Sequence, residues 1–236
     1  MVDPPSTPSP PIRRPLRTRT VSEFGRHVSG VVGRLQAGYL EKRPNSISSL
    51  ARLRNSVNFA PGAAKSAEAI WLPSELLGAE YVRPDEPSHT ETALHTAVTL
   101  FAVHQQSQAE RMHRSGVTFA AAVQRLALGS SNEDTVHRRF AAIGSAVDYS
   151  ELVYHARGLV TQLRGEKIGF DYGLFADDLC TFQSRTSPAS GLSGAEYVRA
   201  LWGREYWRAR PKPNGSDDPD TAETADADDA YNDEQE

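Results

Sequence analysis

Residues 136–164 read VHRRFAAIGSAVDYSELVYHARGLVTQLR, and this stretch decides the fold. Val136, Phe140, Ile143 and Val147 fall at i, i+4, i+7 and i+11, the spacing of one apolar seam on a helix. Asp148, followed three residues later by Glu151, has the form of a capping box. It predicts a second helix over Glu151–Arg164 that buries Leu152, Ala156, Leu159 and Leu163. Nowhere does the stretch alternate apolar and polar residues as a half-buried strand does.

The helical period continues in both directions. Upstream, Phe24, Val28, Val31, Val32, Leu35 and Tyr39 predict a helix over Ser22–Lys42, which Pro44 ends. A short helix is expected over Ile47–Ser56, followed by a loop through Pro61-Gly62. Trp71, Leu72, Leu76 and Leu77 mark a short apolar element before a loop over Pro84–Pro87. Leu94, Val98, Phe101 and Ala102 predict a helix over Glu91–Ser107, and another spans Phe119–Leu128. Downstream, Asp171 is placed to cap Tyr172–Gln183, and Glu196–Arg208 closes the series. With no competing strand pattern, the predicted class is all-α.

Both ends differ from this body. Met1–Pro15 is crowded with Pro, Ser and Thr, and residues 211–236 hold Tyr231 as their one large apolar group. Such segments bury too little to offset their ordering entropy. The expected organisation is a disordered basic arm over 1–20, a helical body over 21–210 and a disordered acidic tail over 211–236. The body is one unit, or two small lobes of about 21–130 and 131–210. Charge divides the same way: net +3 in the arm, +2 in the body and −9 in the tail, within a whole-chain charge of −4. The folded part is therefore mildly basic. No apolar run has the form of a signal peptide or a membrane span, so a cytoplasmic protein is expected. The single cysteine, Cys180, excludes an internal disulfide and a cysteine-based zinc site, and its neighbours predict a small core residue.

Of the 26 basic residues, all but four are arginines, and most fall inside helical patterns. A planar, permanently charged fork suits phosphate oxygens better than a flexible ammonium does. Arginines on rigid helices therefore suggest a track for a phosphate backbone, set against ordinary surface salt bridges. Arg157 and Arg164, seven residues apart, share one flank of their helix. Arg138 lies opposite the Val136/Phe140 seam, with Arg139 on its border. Arg52 and Arg54 lie about 200° apart on an ideal helix, so only one can face a ligand squarely.

Other clusters read as structural. His95, His104 and His113 recur at a spacing of nine, which alternates faces on a continuous helix, and are expected to pack in the interior rather than bind metal. Asp171 reads as a helix cap, with Asp177 and Asp178 solvated or salt-bridged rather than forming a metal cluster. Glu151 and His155 lack a nearby nucleophile or oxyanion site. Val198, Leu201, Trp202 and Tyr206 form a seam, so Trp202, Tyr206 and Trp207 are assigned to core packing rather than base stacking. No Gly-rich nucleotide motif occurs, Gly116 and Gly129 reading as punctuation, and no cofactor is expected.

Several segments, in order, resemble the CasB family, the small subunit of the type I-E CRISPR surveillance complex Cascade. They are Ala51-Arg52-Leu53-Arg54, Phe101-Ala102-Val103-His104-Gln105, Met112-His113-Arg114-Ser115-Gly116 and Leu126-Ala127-Leu128. Arg138-Arg139-Phe140, the run from Leu152 to Val160, the run from Asp171 to Leu179 and the run from Val198 to Trp207 follow. Their order and spacing across most of residues 20–210 carry the match. One departure stands out: the family often pairs two arginines after its leucine, and here Arg54 precedes Asn55.

The resemblance implies an all-α protein of two packed helical bundles with no catalytic role. Two copies would lie head to tail in a ribonucleoprotein of guide RNA, repeated backbone subunits and a large subunit. They would contact guide RNA and target DNA, hold the displaced non-target DNA strand and stabilise the R-loop in antiviral defence. By position, the nucleic-acid role falls on Arg52, Arg54, Arg138, Arg139, Arg157 and Arg164, and then on Arg125 and Arg114. The basic arm and the acidic tail extend beyond the matched part; a competing hypothesis from the residues treats the tail as a phosphate mimic that shields that surface before assembly. The alternative from the residues alone is a free-standing helical DNA-binding regulator, with a metal-dependent hydrolase third.

Overall fold

A computed structural model of the chain describes residues 19–56, 59, 61, 72–76, 86–185 and 191–210. The tail, the arm up to residue 18, Trp71 and Leu77 lie outside the described residues. The architecture is all-α. The helices are α1 (Glu23–Leu40), α2 (Pro44–Ser56), α3 (His89–His104), α4 (Phe119–Gly129), α5 (Glu133–Ser145), α6 (Tyr149–Gly165), α7 (Tyr172–Gln183) and α8 (Gly194–Arg208), with a 3-10 turn at Ser74–Leu76. Among the described residues no helix is long and apolar enough to cross a membrane.

Side-chain caps open most of these helices. Ser88 and Ser193 make full capping boxes with Glu91 and Glu196, while Asp171 accepts the Gly173 and Leu174 N–H groups at the start of α7. Several boundaries differ from expectation; α3 ends at His104, three residues before Ser107, and two further differences have a clear local cause. Pro44 does not end α1, which stops at Leu40. It opens α2 instead, where a missing N–H costs nothing because the first-turn donors lack helical partners anyway. Asp148 caps α6 as expected, but the Glu151 carboxylate accepts the Val147 N–H at 2.6 Å rather than the cap's own. α5 ends at Ser145, so Val147 lies off the helix and is 86% exposed, while Ala146 is buried at the end of the α5 seam.

The helices form two groups. One is α1, α2, α3 and α7; the other is α4, α5, α6 and α8; α7 against α8 and α3 against α6 join them. A single apolar core runs through both. Its spine is aromatic: Phe170 stacks on Tyr172 at 4.3 Å, Phe119 meets Phe175 at 5.0 Å, and Phe175 stacks on Trp202 at 5.9 Å. α7 is apolar on most of its circumference because it lies at the centre of this core. It approaches α1 closely enough that a Cβ on Gly173 would sit 2.5 Å from the Gly25 carbonyl oxygen. Cys180 is half-buried against the same core.

Arg19, counted with the arm by composition, belongs to the body. Its guanidinium pairs with Asp178 and, at 3.2 Å, with Glu205; the Trp202 indole N–H donates to the same Asp178 at 2.7 Å. Asp177, next to it, accepts the Ser22 N–H at 2.9 Å and the Ser22 hydroxyl. Neighbouring carboxylates on α7 thus tie the entry of α1 and the middle of α8 to the central helix.

Candidate nucleic-acid interface

The candidate arginines are distributed over both groups. Arg52 is exposed on α2, where it interacts within the protein, while Arg54 is half-buried in that helix's last turn. Arg125 is exposed on α4, Arg138 and Arg139 on α5, and Arg157 and Arg164 are half-buried on α6. α4, α5 and α6 pack against one another, so five of the eight arginines share one three-helix unit. Arg52 and Arg54 belong to the other group.

Arg125 and Arg139 have no hydrogen-bond or ion-pair partner among the described residues, and Arg138 leans only on its own helix, at the Asp134 carbonyl and the Thr135 hydroxyl. Arg164 is more constrained. It donates to Gln106 Oε1 at 3.0 Å and to the Val103 carbonyl at 3.4 Å, tying the end of α6 to the end of α3. Arg157 also interacts within the protein.

Arg114 stands on the α3–α4 loop, which two amides hold in place. Buried Gln36 accepts the His113 N–H at 2.8 Å and donates to its carbonyl at 3.3 Å. Gln105 accepts the Met112 N–H and donates to the Gln108 and Glu110 carbonyls. A bridge between Met112, Arg114 and Phe170 then joins this loop to the α6–α7 connection, where Gly169 permits the close approach of the Arg111 and Met112 carbonyls. Arg114 is therefore presented on a fixed frame, paired loosely with Glu110 at 3.5 Å.

The histidines pack into this frame. His104 is sealed, stacked on Phe170 at 5.4 Å, with Nδ1 3.1 Å from the Tyr172 hydroxyl. His113 Nδ1 accepts the Tyr172 backbone N–H at 3.2 Å. No three potential ligands come together among the described residues. Burial, reinforced by the Arg164 charge, pushes the His104 pKa down to about 3. In the unfolded chain the ordinary value is ~6.5, so between these values the unfolded state binds the extra proton and acid destabilises the fold. Stability is expected to fall by up to about 1.4 kcal/mol per pH unit from this residue alone on acidification below pH ~6. Urea unfolding of wild type and His104→Gln across that range checks this. The variant should show the flatter profile.

Three features escaped the sequence reading. Arg19 is a buried tie. Arg199 donates to the Ala146 carbonyl and lies over Phe182, 5.5 Å from its ring centre, serving the core rather than the surface. Trp202 and Tyr206 are buried as expected, but Trp207 is 53% exposed beside His137. Its position one residue beyond the Val198/Trp202/Tyr206 seam was the available signal.

The family model for the CRISPR-associated protein Cse2 matches residues 49–207. The fold is similar to that of CasB from Thermobifida fusca, with 34% identity and a TM-score of 0.65, covering 79% of this chain and 99% of that one. It is also similar to a chain of a CRISPR RNA-guided surveillance complex, with 17% identity and a TM-score of 0.57, covering 79% of this chain and 94% of that one. No curated protein matches the sequence. The match over most of the helical body and the likeness to CasB lead to one conclusion: this chain belongs to the Cse2 (CasB) family of CRISPR-associated proteins.

Proposed function

We propose that this chain is a non-catalytic small subunit of a type I-E CRISPR RNA-guided surveillance complex and holds nucleic-acid backbone there without sequence preference. The observation that carries the reading is the set of exposed arginines on α4 and α5, Arg125, Arg138 and Arg139, none of them paired with a described carboxylate. A strand of arbitrary sequence is held through phosphates rather than base edges, and fixed guanidinium groups suit that task. Arg157, Arg164 and Arg114 extend the surface, and Arg52 and Arg54 supply a separate contact from α2. The ligands are the displaced non-target strand and the guide–target region. Exchanging a DNA duplex for a guide–target heteroduplex is nearly balanced in energy, so backbone contacts tip it and stabilise the R-loop.

The test is assembly. Co-expressed with the guide RNA, backbone subunits and large subunit of a type I-E complex, the tagged chain is expected to co-purify with all of them, in two copies. A complex that forms without it, or a chain that instead recovers as a two-fold dimer on a specific operator, would contradict the proposal.

A further inference from the structure

α8 runs antiparallel to α5, and the contacts between them fix where the chain leaves the fold. Phe140 stacks on Tyr206, the His137 ring lies 5.4 Å from that of Trp207, and Arg210, the last described residue, pairs with Glu133 at 3.5 Å. α4 ends at Gly129, and residues 130–132 join its last turn to the same place. The acidic tail therefore starts at a corner where α4 ends, α5 begins and α8 ends.

That corner is cationic. At 1.5 Å of rise per residue, Arg125 lies about 6 Å from the end of α4, Arg139 about 9 Å from the start of α5 and Arg204 about 6 Å from the end of α8. These three, with Arg138 and Arg208, are exposed. Arg138 reaches back to the Asp134 carbonyl at 3.4 Å and the Thr135 hydroxyl at 3.5 Å, in the turn that begins with Glu133. Acids are few on these helix ends. Glu133 is paired with Arg210 and Glu205 with Arg19, which leaves Asp134 as the one carboxylate of these turns without a described cation.

The chain beyond Arg210 carries the matching charge. Residues 211–236 hold ten acids against Lys212, a net −9, and Tyr231 is their one large apolar group. Such a segment has little to place in an apolar groove; carboxylates for guanidinium groups are what it offers. Its first acid, Asp217, is seven residues past Arg210, so an extended link reaches up to about 25 Å. That reach covers the whole corner.

We propose that the acidic tail docks on the arginine corner at the ends of α4, α5 and α8 and occupies it until a nucleic-acid strand displaces it. This rests on the backbone-holding reading above and adds regulation to it. A tether of this length holds the tail near the corner at an effective concentration of about 1 mM, so a tail affinity of only ~0.1 mM weakens strand binding roughly tenfold. Short strands, which make few phosphate contacts, are excluded first.

A full-length variant with every Asp and Glu of residues 217–236 replaced by Asn or Gln tests the idea. Its thermal transition should match wild type, and at low salt it is expected to bind fluorescent oligothymidine roughly tenfold tighter. The difference should vanish at about 0.5 M salt. A nitroxide on Ala225→Cys, in a Cys180→Ala background, reports where the tail lies. At low salt it should broaden the amide signals of Arg125, Arg138, Arg139 and Arg208 with the acidic tail, and much more weakly with the neutral one. Equal strand affinity for the two tails overturns the proposal and leaves backbone holding intact. Tighter binding without that broadening, or broadening centred on Arg52 and Arg54 of α2, also overturns it. If substituting Gln for Arg13, Arg14 and Arg17 abolishes the broadening, the tail's partner is the basic arm and the proposal falls. If neither tail form binds the strand at low salt, backbone holding falls and the competition falls with it.

Discussion

Replacing Arg19 with alanine is expected to cost about 3–5 kcal/mol of stability, although Arg19 precedes the first helix and lies outside the span matched by the family model. The loss comes from what the substitution leaves behind. The Asp178 side chain is 4% exposed, and without Arg19 its carboxylate keeps the Trp202 N–H but loses its cation. Burial already pushes the Asp178 carboxyl up, with the Arg19 guanidinium and the Trp202 N–H pulling it back. Removing the guanidinium makes protonation the cheaper way to fold, so the deficit should shrink as the pH falls. Asp178→Asn in the Arg19→Ala background, which removes the orphaned charge, should recover much of the loss. Urea unfolding of the two variants at neutral pH measures both effects. A loss below ~1 kcal/mol for Arg19→Ala would mean that the pair behaves as an exposed one.

Trp202→Ala is the second large effect, expected at about 3–5 kcal/mol. Trp202 is 1% exposed, lies 5.0 Å from Phe119, stacks on Phe175 and donates its indole N–H to Asp178. It is where α8 locks onto α4 and α7, so the substitution opens a cavity at the junction of the two helical groups. Trp202→Phe separates the contributions. It keeps most of the packing and loses a hydrogen bond to a buried charged acceptor, leaving Asp178 to Arg19 alone, and should cost about 1–3 kcal/mol. Equal losses for alanine and phenylalanine would place the whole effect on the hydrogen bond and none on packing.

The helices were legible because their apolar periods are strong. Val136, Phe140 and Ile143, Leu152, Ala156, Leu159 and Leu163, and Val198, Trp202 and Tyr206 are buried as their spacing requires, with Leu201 half-buried at the edge of its seam. Caps such as Asp171 were legible for a local reason: a short acceptor two or three residues before the orphan donors meets them in any helical context. Val147 was misread because α5 ends at Ser145, which leaves the i+11 position off the helix, and spacing does not encode where a helix stops. Arg19 was misread because its partners are 159 and 186 residues away, and nothing near it in the chain announces them. The grouping of the candidate arginines was not legible. Which arginines belong to one three-helix unit depends on α4, α5 and α6 packing together while α2 joins the other group, and that is a property of tertiary contacts.

The central claim is that this helical surface binds single-stranded nucleic acid through phosphates. The direct measurement is fluorescence anisotropy of unstructured single-stranded DNAs of unrelated sequence across a salt series, for wild type and an Arg138→Ala/Arg157→Ala/Arg164→Ala variant whose fold is confirmed by its thermal transition. The log–log slope should be about −0.7 per phosphate neutralised, so three lost contacts flatten it by about 2. The account predicts similar wild-type affinity for every sequence, with weaker and less salt-dependent binding by the variant. Equal affinity and slope for the two proteins, or binding by wild type that follows sequence, would contradict it.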